Sequence, residues 1–525
     1  MPTPSSDHLF LLIKTLSKAE KRNFRLYVTR NQSSEDLKFI RLFDVLDKQR
    51  EYEEDTIFKK VPDIKKEQLS NLKAHLYKQL LTSLRLLHKQ KNTDIEIREH
   101  IDYAKVLYNK GLYIQALKIL DKAKGMAATY HQNFLMLEIV EFEKLIESRH
   151  ITRAGTGRTD ALAQEAQLIQ AQLLRTSQLS TLSLQMYDFY LQYGHARNAE
   201  DLNHIATFFQ QNLPLNIADA KGHIDERNLT FFEKIYLYQA LAWKTYIAQD
   251  WLNYCRAAYK WVSLFEHNSI MKLNDTSLYL KGVHNLLIGY FMTLRNDRLT
   301  WLLQNTESYI QKHFDTLDEN TRTLAFYHLY SAKLNLHFLQ GTFTEGVKII
   351  PEIEEQLKEY ELRLDQHRIL ILYYKIGSLY FGAGNHDKTI DYLNKIINYK
   401  FGNLRADIQC FARLLQLIVH FEKGHFGLLE YLIKSVYRFI AKNEDLSAVM
   451  TEVLKFLRKA MYLGRKDLRN AFSDLRERLI ELSKNPFERR SFIYLDIISW
   501  LESKIEGRHV SEVIRQKFLD REKVR

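Results

Sequence analysis

The chain has 525 residues, 46% apolar and 27% charged, a folded rather than disordered composition. Only 6 prolines and 18 glycines interrupt it, and such scarcity of helix breakers points to an all-α protein. The net charge of +12 is uneven: residues 1–92 carry +7, residues 446–525 carry +6, and the 93–445 body carries −1.

The first residues, Met1 to Lys14, have no basic stretch before a short apolar run, which reads against a secretory leader. A helix is expected over about 7–15. A second follows with Ser17 and Glu20 at capping-box spacing. Leu37, Ile40, Phe43 and Leu46 mark a third helix. Leu69, Leu72, Leu76, Leu80, Leu84 and Leu87 stripe a long one over about 65–91. Residues 1–92 thus form a basic helical module.

Next comes a pattern that recurs down the chain. Tyr103, Ala104 and Leu107 lie on one helix, Gly111 and Tyr113 at a turn, and Ala116, Leu120 and Ala123 on the next helix. Small residues at 104, 116 and 123 let two helices approach closely. The pattern returns at Tyr373, Ile376, Gly377, Tyr380, Gly384, Leu393 and Ile396. It is weaker at Tyr330, Gly341, Phe343 and Ile350, and at Phe421, Gly424, Phe426 and Ile433; a still fainter copy surrounds Ala242, Trp251, Ala258 and Trp261. Between Gly111 and Gly341 the signal fades, with breaks at 153–160, 194–198 and 214–227.

These small and large positions resemble the tetratricopeptide repeat (TPR), although units here recur every 40 residues or more instead of 34. The resemblance implies an α-solenoid: a right-handed TPR-like array of antiparallel helix pairs over 93–445. A basic helical cap over 446–525 covers its end. It also implies a groove lined by the first helix of each pair. Carried over residue by residue, that groove receives Ile101, Lys105 and Tyr108, then Ser331, Asn335 and Phe338. Tyr374, Ser378 and Phe381 follow, and then Leu414, Ile418 and Phe421. Lys105 and Asn109 are the one pair suited to clamping a carboxylate, as chaperone-binding members of the family do. The C-terminal groove positions are apolar and aromatic. They suit an amphipathic helix, or equally burial beneath the chain's own closing helices.

Chemistry-bearing motifs are few. Gly384 to Thr389 ends in Lys-Thr but lacks a glycine before Lys388 and a preceding strand, so it reads as a turn, not a phosphate loop. Gly155 and Gly157 punctuate an interhelical loop. His420 and His425 flank a turn, without the His-Glu-x-x-His spacing of a zinc site. Glu352, Glu354, Glu355, Glu359 and Glu361 read as a solvated face. Cys255 and Cys410 read as buried thiols of a reducing compartment. No stretch approaches 18 apolar residues, so no membrane span is expected.

The expectation is a non-enzymatic, cytoplasmic scaffold for a protein or peptide partner, with no cofactor, metal or small-molecule substrate. The alternative is a nucleic-acid or ribosome-associated adaptor. It would use Lys18, Arg22 and Arg25 at one end and Arg465, Lys466 and Arg469 at the other.

Overall fold

A computed structural model describes residues 7–29, 34–88, 92–150, 157–214, 217, 224–360, 363–399, 406–442, 447–488, 492 and 496–524. Among them every regular element is a helix and none is a strand. No helix among them is long and apolar enough to cross a membrane. The chain divides into two compact units, Met1–Gln170 and Ala171–Arg525.

The first unit begins with α1 (His8–Thr15), α2 (Lys18–Thr29), α3 (Ser34–Lys48), α4 (Glu54–Lys60) and α5 (Lys66–His88). The Ser17 and Glu20 capping box forms: Glu20 accepts from the Ser17 amide at 2.8 Å and Ser17 Oγ from the Glu20 amide at 3.3 Å. Ile13, Phe24, Leu42, Phe43, Leu46, Leu76 and Leu80 make the core of this module. Then α6 (Thr93–Asn109), α7 (Tyr113–Thr129) and α8 (Asn133–Arg149) pack in succession. The close approach expected of Ala104, Ala116 and Ala123 is there, since all three are fully buried with Ile97, Leu120 and Ile139. Helix α9 (Arg158–Tyr193) follows. Gly155 lies outside the described residues.

The second unit continues through α10 (Ala199–Gln211), α11 (Phe231–Ile247), α12 (Trp251–Glu266) and α13 (Ser269–Asn274). Next come α14 (Thr276–Met292), α15 (Asn296–His313), α16 (Glu319–Gln340), α17 (Phe343–Val347) and α18 (Ile350–Tyr360). Then follow α19 (Gln366–Gly382), α20 (His386–Ile397), α21 (Ala406–Glu422) and α22 (Phe426–Lys442). Most sequential neighbours pack on one another. In addition α14 packs on α16, α16 on α19 and α19 on α21, so these four lie side by side. The last helices are α23 (Ala448–Ala460), α24 (Arg465–Ser483), α25 (Ile497–Glu506) and α26 (Val510–Val524).

One turn recurs at six helix junctions among the described residues. At Gly111, Gly384 and Gly424 the residue after the glycine donates its N–H to a carbonyl five residues back, and the glycine N–H bonds three residues back. This is a Schellman stop, which needs one left-handed residue. The same bonds and left-handed φ occur at His131, Gln249 and Leu294, where no glycine marks them. In the second unit five of the seven left-handed residues among those described, 249, 294, 341, 384 and 424, give a common reference point for five helix ends.

Leu294 sits at φ 57° and is 41% exposed, so its side chain adds little burial to offset a conformation L-residues avoid. Leu294→Gly is therefore expected to raise stability by about 0.5–1 kcal/mol in urea denaturation. A loss of that size would show that Leu294 is held by packing instead.

Candidate functional site

The register places side chains together that lie far apart in sequence. Ten residues before each left-handed position stand Gln239, His284, Ser331, Tyr374 and Leu414. Thirteen before it, Lys281 and His328 occupy equivalent places on α14 and α16. Because α14, α16 and α19 are neighbours, a polar cluster forms where they meet.

At its centre the Lys375 ammonium donates to Ser331 Oγ at 2.6 Å, Asn335 Oδ1 at 2.8 Å and the Ser331 carbonyl at 3.2 Å. Beside it the His284 and His328 rings stack with centroids 4.1 Å apart. His328 is buried and its Nδ1 has no hydrogen-bond partner. Lys281 is exposed, whereas His284, Arg368 and Lys375 are partly exposed. The floor is thus buried and the rim open. Arg368 lies over the Tyr327 ring at 5.5 Å and pairs with Asp365, the side chain that caps α19.

The electrostatics are one-sided. Burial, then the charges of Lys375 and Arg368, push the His284 imidazole down to about 3. Burial also holds His328 well below the usual histidine range, with His284, Arg368 and Lys281 adding to it. The Lys281 ammonium is lowered by the protein around it and then by the Arg368 charge. Carboxylates do not figure among the charges acting on these groups, and Asp365 is engaged by Arg368.

Burial lowers Lys375 from 10.5 to about 7. Since this folded value lies below that of an unfolded lysine, the folded chain holds fewer protons between those two pH values. Stability then rises with pH across that window, by at most about 1.4 kcal/mol per unit, and the cost is fully present below pH 7. Urea denaturation of wild type and Lys375→Met at pH 7 and pH 9 checks this. Wild type should gain on the variant by more than 1 kcal/mol; parallel changes would contradict it.

The expected groove residues fare unevenly. Ser331 and Asn335 are buried and hold Lys375. Tyr374, Phe381, Leu414, Ile418 and Phe421 are buried in a core that also contains Trp500 and Leu501 of α25. Ser378 is half-buried on α19, and Phe338 is half-buried against Phe343. An open apolar groove is therefore not what these helices offer, because the chain's own side chains fill it. In the first unit Lys105 and Asn109 are exposed, but Lys105 pairs with Glu138 at 3.2 Å. Tyr108 packs on Tyr113, Phe142 and His150.

The basic ends are also partly neutralised. Arg25 pairs with Asp44 at 2.7 Å and Lys21 with Asp47 at 2.6 Å, while Lys18 and Arg22 are exposed. In the second unit Lys466 and Arg469 are exposed, and Arg476 and Arg478 pair with Glu502 and Glu452. The side chain of Arg465 lies outside the described residues. Cys255 and Cys410 are free and buried.

Sequence reasoning missed Lys281, His284, His328, Arg368 and Lys375. Lys375 and His328 stand next to, or one helical turn from, positions already singled out; for Lys281 and His284 the missing signal was the turn at Leu294. No family model, no curated protein and no solved structure matches this chain.

Proposed function

We propose that the protein is a non-catalytic scaffold whose second unit binds a segment of a partner protein at the cationic cluster between α14, α16 and α19. In this reading the helices pair antiparallel in a TPR-like array, and α11, α14, α16, α19 and α21 form its inner layer. Support comes from the shared register of Gln239, His284 and Ser331, polar side chains at the same place on α11, α14 and α16, whereas Tyr374 and Leu414 at that place on α19 and α21 lie in the apolar core. The observation that carries the reading is the accumulation of Lys281, Arg368 and Lys375 around the stacked His284 and His328 rings, where Asp365 is the carboxylate seen to pair with Arg368 among the described residues.

The Lys281, Arg368 and Lys375 charges held together are unfavourable unless something of opposite sign arrives. The partner is accordingly acidic at its point of contact. Two free, buried cysteines fit a reducing compartment such as the cytoplasm.

The test is affinity capture by the full chain and by a Lys281→Glu, Arg368→Glu variant. Both changed residues lie at the open rim, and circular dichroism of each protein verifies the fold. The proposal expects a protein retained by wild type and lost by the variant. An identical captured set from both would overturn it.

A further inference from the structure

The stacked imidazoles and the lysine beneath them suit a particular charge. Lys281, Arg368 and Lys375 bring up to three positive charges to one place, beside the uncharged rings of His284 and His328. Asp365 offsets one of these charges through Arg368. A single carboxylate entering this space would leave positive charge uncompensated in a half-buried setting. A dianion would balance it, and three terminal oxygens would use more of the donors present.

Donor geometry agrees. Ser331 Oγ accepts from Lys375, and its hydroxyl still carries a hydrogen of its own to donate. His328 Nδ1 is buried without a partner, a condition native interiors rarely leave in place unless a ligand or water completes it. His284, directly above it, is partly open to solvent.

We infer that the space bounded by Lys281, His284, His328, Ser331, Arg368 and Lys375 is a binding site for a phosphoryl monoester carried on the partner segment. Lys281 and Arg368 attract it at the mouth, His284 and the Ser331 hydroxyl meet its oxygens, and Lys375 supplies charge from beneath. The peptide-borne source rests on the scaffold reading above; the phosphoryl site itself does not.

The experiment is calorimetric titration of the purified full chain with inorganic phosphate and with O-phosphoserine, at fixed ionic strength in chloride. Histidine ring resonances are followed in parallel. Wild type should bind both saturably and shift two histidine resonances. Lys281→Gln with Arg368→Gln should weaken binding at least tenfold, and His284→Asn should remove one of the two shifted resonances. The rim variant keeps the test decisive, because its side chains are not core. Absence of saturable phosphate binding, or binding unaltered in the rim variant, would overturn the site. Phosphate binding with exclusion of O-phosphoserine would overturn the peptide-borne source alone. Loss of partner capture with phosphate binding intact would count against the scaffold reading and not against the site.

Discussion

Trp500→Ala is expected to lower the unfolding free energy by about 3–5 kcal/mol, the range for emptying a fully buried large aromatic position. The indole is 1% exposed and meets Phe472 and Phe456 edge-on, with centroids 5.7 and 6.4 Å away. Its N–H donates to Glu422 Oε1 at 2.5 Å, while Lys504 donates to Oε2 of the same carboxylate at 2.6 Å. Truncation would therefore open a cavity and remove one of two donors from a nearly buried carboxylate. Trp500→Phe keeps much of the apolar contact and should fall between wild type and alanine. Guanidinium denaturation measures both. A loss below about 1 kcal/mol for the alanine variant would mean that α25 does not seal the core shared by α19, α21, α23 and α24.

Gly341→Ala should cost about 2–4 kcal/mol, and Gly424→Ala only about 1 kcal/mol. Both glycines sit at φ +71°, so both variants bear the left-handed strain of an L-residue. The environments differ. A Cβ on Gly424 meets nothing within 4 Å, whereas one on Gly341 comes within 2.6 Å of the Arg515 amide nitrogen and 3.0 Å of the Ser511 carbonyl. Those are backbone atoms of α26, which cannot rotate aside as a side chain can, so the clash adds an overpacking cost. Arg515 also donates to the Gln340 carbonyl at 3.2 Å, across the same contact. Paired thermal melts would show the difference, and amide exchange would locate it: α26 should lose protection in Gly341→Ala alone. Equal losses in the two variants would contradict docking of α26 on this turn.

The all-helical class was legible because it rests on composition and on apolar spacing, and both survive without knowledge of distant contacts. The Ser17 and Glu20 cap was legible for a similar reason, since both partners lie within one turn. The middle of the chain was not. Its stops at His131, Gln249 and Leu294 use the same hydrogen bonds as the glycine stops but spend a residue that sequence reading does not associate with φ > 0. Once glycine is taken as the only marker, two helix ends of the second unit disappear and the register of α14 is lost with them. His284 then looks like an isolated histidine on an apolar helix. Set ten residues before Leu294, it becomes the counterpart of Ser331 and Tyr374.

Ser331 and Asn335 show a different limit. Their places on α16 were foreseen, but which neighbour they would meet depends on Lys375, forty and more residues away on α19. Likewise, the apolar character of Tyr374, Phe381 and Phe421 was plain, yet apolar spacing is the same for a face awaiting a guest and for one covered by the chain itself. Only the packing of α25 distinguishes the two.

The central claim is that a partner engages unit two on the face bearing the cationic cluster. Site-specific photocrosslinking tests it most directly, with a photoreactive phenylalanine placed at Lys281 in one protein and at Trp301 in another. Trp301 is 64% exposed on α15 and is the stronger competitor on hydrophobicity alone. The account predicts a discrete protein adduct from position 281, suppressed by excess O-phosphoserine, and none from position 301. Adducts from 301 with none from 281 would contradict it.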